Sequence, residues 1–350
     1  MPFAAVPRSA EQARHLDTWR SPQEVASWLA VHGGAPEGVR QNGGFVFPVQ
    51  ALDPYAAAVS ATLIVERMVA RSAYARSSGR RLEPLGRVWV GDSSVSVPLR
   101  PPHRGAFLLA LEAEHRLYDV QGTTALDEAL ELASPLNFGA PGPAVSGSWA
   151  AIESLLVSPR DAQDAKEGRG AVAADRLAAL VAASWPRAEL TVLSHRHQPA
   201  SADRLARELK GVEVNKTRAR LVHQALERGD SLVLKKPSDT AAASRMMGVI
   251  SEPQETLGVV RGHVSAAIRR LYRQRNIMVH GGATESLARD VTLRTAAPLA
   301  AAGLDRIVHA NLADGEAPLA IAERAIVRLG MVGRDGGPHI VDLLAPQPRT

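Results

Sequence analysis

The sequence contains no cysteine. That excludes disulfide scaffolds, thiolate zinc sites, iron–sulfur clusters and a cysteine nucleophile. Aromatic residues are only 4% of the 350, too few for a surface that stacks many bases on aromatic rings. No run of about 18 apolar residues occurs, so no membrane-spanning helix and no membrane partner are expected. Met1 to Arg20 carries Arg8, Glu11, Arg14 and Asp17 without an apolar stretch. A secretory signal is therefore not expected, and the protein reads as cytoplasmic. The signatures Gly-x-Gly-x-x-Gly, Gly-x-x-x-x-Gly-Lys-Ser/Thr, Gly-x-Ser-x-Gly and His-Glu-x-x-His are also missing, so those nucleotide-binding, serine-hydrolase and zinc-protease classes have no motif here.

What is present is a mildly basic chain. Lys and Arg number 41 against 36 Asp and Glu, a net +5 at neutral pH, which is compatible with a polyanionic partner. At this length roughly two domains are expected, and with 45% hydrophobic residues neither needs a metal or disulfide to hold a core.

The first 140 residues read as a mixed α/β region, with a sensing or regulatory role. Ser21-Pro22-Gln23-Glu24 predicts a helix start, with a serine cap and proline in the first turn, and Gly33-Gly34 predicts its end. Phe45–Val49 reads as a strand, and Asp53 to Ser78 as a helix. Arg87–Val90 and Val95–Pro98 read as two strands around a Gly91-Asp92 turn, with Ala106–Ala110 as a third. Thr124–Ala133 reads as a short helix. Ser134 to Gly147 holds three prolines and three glycines; the expectation is that no helix or central strand continues through it, and the domain boundary is placed there. Beyond it the pattern is helical: Ser148–Val157, Ala171–Ser184, Ala200–Leu209, Thr217–Arg228, Glu255–His280, Ser286–Ala302 and Pro318–Leu329. The expected architecture is α+β overall: residues 1–140, an all-α bundle over 146–332, and a tail over 333–350.

Two basic clusters read as solvated surface. His195-Arg196-His197 offers two imidazoles to a metal, but its nearest carboxylates are Glu189 and Asp203, and a solvated loop is the better reading. Lys235-Lys236-Pro237 reads as an exposed basic turn ahead of a phosphate contact.

The segment Arg261 to Gly282 is more informative. Val260, Val264, Ile268, Leu271 and Met278 form an apolar stripe at helical spacing, and Gly281-Gly282 predicts its stop. The stripe position after Leu271 is Arg275, where a plain core helix would carry Leu or Ile. A guanidinium beside a packed face needs an acid or a phosphate. Asn276 and His280 are four apart on one face, with Tyr272 one turn earlier. Arg261 to Arg275 contains five arginines and no acid. This set suits phosphodiester cleavage without metal: histidine moves protons near neutral pH, and arginine neutralises charge growing on phosphoryl oxygens. On RNA the substrate's 2′-hydroxyl is the nucleophile. The same residues also suit a packing helix in which Arg275 pairs with an acid and His280 caps the C-terminus.

Arg275-Asn276-Ile277-Met278-Val279-His280, with Tyr272-Arg273 before it, resembles the Arg-polar-x(3–5)-His motif of HEPN domains, in the Arg-Asn-x-x-x-His-Gly form of the Apea-like branch. Ser148-Trp149-Ala150-Ala151-Ile152-Glu153-Ser154-Leu155-Leu156 is similar to that branch's first helix. The resemblance spans roughly Gly147 to Leu329. It implies a helical bundle that forms a homodimer with two motifs facing one cleft. It implies a metal-independent endoribonuclease without cofactor, leaving a 2′,3′-cyclic phosphate and a 5′-hydroxyl. Toxins and antiviral-defence effectors are common in the family, and tRNA is a recurrent target. By position, Arg275 stabilises the scissile phosphate, Asn276 orients the site and His280 is the general acid or base. Arg269, Arg270, Tyr272 and Arg273 are the expected substrate contacts, and Glu153 is a packing partner or supporting acid for Arg275. The family also holds inactive members that only dimerise or bind nucleotide or RNA.

Overall fold

The computed structural model describes residues 3–5, 16–32, 42–72, 74, 82–91, 96–99, 103–118, 124–161, 168–281 and 287–346. The described chain is mostly helical with a few short strands. It divides into two compact units, residues 1–103 and 104–350. Among the described residues no helix is long and apolar enough to cross a membrane.

The first unit holds β1 (Phe3–Ala5), β2 (Trp19–Arg20), α1 (Pro22–Val31), β3 (Gly44–Phe45), α2 (Pro54–Ser72), β4 (Glu83–Pro84), β5 (Arg87–Trp89) and β6 (Ser96–Pro98). The strands form three separate antiparallel ladders, β1 with β4, β2 with β3 and β5 with β6. The expected cap of α1 is present as a full capping box. Ser21 Oγ accepts from the Glu24 amide, and the Glu24 carboxylate accepts from the Ser21 amide at 2.7 Å. Its expected stop at Gly33-Gly34 lies outside the described residues. The strand expected over Phe45–Val49 is only Gly44–Phe45. A small core of Phe45, Ala58, Val65, Leu82, Val88 and Leu99 holds the unit.

The second unit opens with α3 (Leu109–Ala113), α4 (Ala125–Ala133), α5 (Pro135–Phe138) and α6 (Pro141–Leu156). Next come α7 (Arg169–Arg196), α8 (Arg204–Leu209), α9 (Asn215–Glu227) and α10 (Pro237–Ser251). It closes with α11 (Pro253–Gly281), α12 (Leu287–Asp314), α13 (Pro318–Met331) and a 3₁₀ turn at Ile340–Asp342. α7 is the central helix, packing against α6, α9, α10, α11, α12 and α13. Its sequence explains why: Ala173, Ala174, Leu177, Ala178, Ala179, Leu180 and Ala182 are all fully buried. The unbroken buried stretch from Leu177 to Ala183, rich in alanine, can be approached closely from every side. Gly303 of α12 shows how closely, since a Cβ there would stand 2.3 Å from a methyl of Leu177.

The structure corrects several expectations. The Pro/Gly-rich stretch does not end a domain. Pro135 and Pro141 occupy the first turns of α5 and α6, where a missing N–H costs nothing. Gly147 is a contact glycine, since a Cβ there would stand 2.1 Å from the Leu132 carbonyl oxygen. The guanidinium of Arg104 donates to the carbonyls of Pro135, Leu136 and Gly139, tying residues upstream of the stretch to it. Ala106–Ala110 is no strand: Leu109 opens α3, and the Ala110 amide donates to buried Asp305 at 2.7 Å. α7 does not stop at Ser184 but runs through Pro186 to Arg196. α10 was not anticipated at all. Residues 333–346 are not a loose tail, since Ile340, Val341 and Leu343 are buried in the bundle core and Arg328 donates to the carbonyls of Asp342 and Ala345.

Candidate functional site

α11 is 29 residues long and buries Leu257, Val264, Ala267, Ile268 and Leu271, with Val260 and Met278 partly covered. The expected stripe is therefore the packed face. Because Ile268 and Leu271 are used up inside their own bundle, they are not open to a second copy of the chain. At about 100° per residue, Arg275 falls in line with that stripe, yet it is half-exposed because the bundle ends there. Its guanidinium donates to Oδ1 of Asn276 at 3.1 Å. Among the described residues no carboxylate pairs with it.

Glu153 does not supply one. It accepts from the indole N–H of Trp149 at 3.1 Å, one turn earlier on α6, and faces Arg169 at 3.9 Å. The Trp149 indole is buried against Tyr272, ring centroids 4.6 Å apart. Tyr272 also lies over Gly170 at the start of α7, where a Cβ would stand 2.6 Å from its ring. Met278 reaches over Gly142 at the start of α6, its methyl 3.3 Å from where a Cβ would be. Two glycines and a tryptophan thus seat the last turns of α11, leaving its end at a defined angle to α6 and α7.

The sequence-derived site residues divide between packing and solvent. Arg269 pairs with Asp175 of α7 at 2.9 Å, and Ser265 donates to the same carboxylate at 2.5 Å. Tyr272 packs as described. Arg270, Arg273 and His280 are exposed, and none makes a hydrogen bond or ion pair with a described residue. Asn276 is half-buried and bonded to Arg275. On the helix wheel Tyr272, Asn276, Arg269, His280 and Arg273 share an arc of about 100°, while Arg270 lies further round. The structure therefore joins Arg275 to Asn276 and leaves His280 open one turn beyond. Exposed Ile277 and Val279 flank it. Gly282, half of the expected stop, lies outside the described residues.

Asp175 was the partner missed in the sequence. Its only local sign is an acid on a helix otherwise packed with alanine and leucine. The two basic clusters also resolve. Lys235 and Lys236 are exposed, and Lys236 immediately precedes α10 without a side-chain hydrogen bond to it. His197 is not solvated: it closes α7 as a buried side chain, its Nδ1 accepting from the Val233 amide at 3.1 Å and its Nε2 facing Asp203 at 3.0 Å. With Nδ1 an acceptor, the ring proton sits on Nε2 and points at the carboxylate. Among the described residues no group of three or more histidine or acidic side chains is placed to hold a metal ion. No family model, no curated protein and no solved structure matches the chain.

Proposed function

We propose that the second unit is a HEPN-type bundle that cleaves RNA without metal, as the cytoplasmic effector of a toxin or antiviral-defence system. The observation that carries this is the end of α11. Arg275 stands in the core stripe, oriented by Asn276, with no carboxylate paired to it among the described residues, and His280 is exposed one turn away. A cation without an acid is a vacancy for a phosphate. In the reaction the substrate's 2′-oxygen attacks the adjacent phosphorus and loses its proton to an imidazole. The P–O5′ bond breaks, O5′ takes a proton, and a 2′,3′-cyclic phosphate and a 5′-hydroxyl remain. Arg275 offsets the charge gained by the non-bridging oxygens. One imidazole is thin for both proton transfers, so a two-fold homodimer that brings two His280 side chains to one cleft is part of the proposal. Ile277 and Val279 are the apolar surface on which such copies would meet.

The test is purified protein on total RNA in EDTA, with product ends mapped. Cyclic-phosphate ends are expected, and His280→Ala should lower the rate by about 10²-fold or more, the usual worth of a general acid or base. Activity that disappears in EDTA and returns with Mg²⁺, or that His280→Ala leaves intact, would end this reading. A second reading, a HEPN module that binds RNA or nucleotide without cutting it, is favoured by the spending of Arg269 and Tyr272 on contacts within the bundle. RNA bound but returned uncut would select it.

A further inference from the structure

The second unit has another basic site, well apart from the end of α11. Arg187 lies 17 residues along α7 from Gly170, roughly 25 Å at 1.5 Å per residue. There a cavity of about 110 Å³ is lined by Arg187, by Lys216 of α9, and by Arg306 and His309 of α12, with Asp314 also on its wall. Leu344, Ala345 and Pro346 of the C-terminal segment cover part of it.

Three of the four basic side chains are matched. Lys216 pairs with Asp342 at 2.8 Å, Arg306 with Asp305, and His309 with Glu114 at 2.9 Å. Arg187 is not. Its side chain is half-buried, and among the described residues it has no hydrogen-bonded acceptor. Burial pushes its guanidinium below the ordinary value, nearby Arg306 lowers it further, and Asp342 offsets only part of this. A partly desolvated guanidinium carries five donors and tolerates burial when they are answered. Here the guanidinium borders a cavity with Arg306 close by and Asp314 elsewhere on the wall, and among the described residues no carboxylate is hydrogen-bonded to it.

The cavity has room for one tetrahedral oxyanion. The guanidinium fork selects oxygen pairs over a spherical halide. We propose that this cavity binds a single phosphoryl group, with Arg187 as its main ligand and Arg306, Lys216 and His309 around it. The phosphoryl group comes either from free phosphate or from the end of a small phosphorylated metabolite whose remainder stays outside. Because Leu344–Pro346 line part of the cavity and Asp342 is held by Lys216 and Arg220, occupancy would also tighten the C-terminal segment on the bundle. None of this depends on RNA cleavage at α11.

The experiment is calorimetric titration and thermal unfolding of the full chain with inorganic phosphate, against sodium chloride at equal ionic strength. Phosphate should bind and raise the midpoint where chloride does not, and sulfate should compete. Arg187→Gln should bind phosphate about tenfold or more weakly, the effect of losing one charge-assisted pair, and without phosphate should unfold no earlier than the parent. Arg187→Lys should keep part of the response. Arg275→Gln should keep all of it, which separates this site from the phosphate position of the proposed catalytic one. A nucleoside 5′-monophosphate binding more tightly than phosphate would identify a metabolite as the source, and equal affinity would identify free phosphate. Equal effects of phosphate and chloride, an undiminished response in Arg187→Gln, or a response to RNA oligonucleotides alone would each overturn the proposal. If Arg187→Gln does not fold, loss of the phosphate response in Arg306→Gln together with its retention in Arg275→Gln decides the matter.

Discussion

Arg269, Arg270 and Arg273 fall within five positions of one helix and meet different surroundings. Arg269 answers Asp175, while the other two extend into solvent. Their substitutions should therefore separate cleanly. Arg269→Gln is expected to lower the unfolding free energy by about 0.5–1 kcal/mol, the usual worth of a half-exposed ion pair, as read by urea denaturation. Arg270→Gln and Arg273→Gln should leave stability within about 0.5 kcal/mol. If they track RNA, each should also flatten the dependence of binding on salt by about 0.7 in log–log slope. Loss of stability in Arg273→Gln, or an RNA affinity blind to both exposed arginines, would count against the RNA track. At this scale much was legible in the sequence. The interruption of an apolar stripe by Arg275 and the spacing of Asn276 and His280 are local periodicities. The partners were not legible, because choosing Asp175 over Glu153 depends on how α6 and α7 register against α11.

Between elements the deciding feature is close approach. α7 and α12 meet where Gly303 admits Leu177, so Gly303→Ala should cost about 1–3 kcal/mol by overpacking. Gly262, exposed in the middle of α11 with open space around its Cα, should respond oppositely. Gly262→Ala should gain about 0.5–1 kcal/mol because glycine costs a helix backbone entropy. Urea midpoints of the two variants check both signs, and equal effects would refute the packing assigned to Gly303. The same distinction explains what the sequence hid. A glycine that ends a helix and one that lets a neighbour in look alike in one dimension. Gly139, Gly142 and Gly147 read as breakers, yet Gly142 and Gly147 lie inside α6 and face Met278 and Leu132. Prolines mislead in the same way, since Pro135 and Pro141 begin helices. Where a signal is purely local, as in the serine cap at Ser21 and the short helix that follows Thr124, expectation and structure agree.

For the whole molecule, the question is where an independently folding piece begins. Composition alone placed the start of the bundle at 146 and its end at 332. The contacts place it earlier and later. Leu126, Ala129, Ala133 and Leu136 belong to the same core as Trp149 and Ile152, and Arg104 and Ala110 are tied to α5 and to Asp305. At the other end, Ile340, Val341 and Leu343 are buried in that core, and Arg324 and Arg328 spend donors on carbonyls beyond residue 341. A fragment of residues 146–332 would expose the faces of α6, α7 and α9 that these segments cover. It would also leave half-buried guanidiniums unanswered, each a cost of about 1–3 kcal/mol. Against a total stability of about 5–15 kcal/mol, that is enough to abolish cooperative folding. Residues 104–350 should unfold in one sharp urea transition, whereas residues 146–332 should aggregate or melt without one. If the shorter piece unfolds as sharply and at the same midpoint, then residues 104–138 and 339–346 are ornaments on the bundle, and the boundary belongs where the prolines suggested.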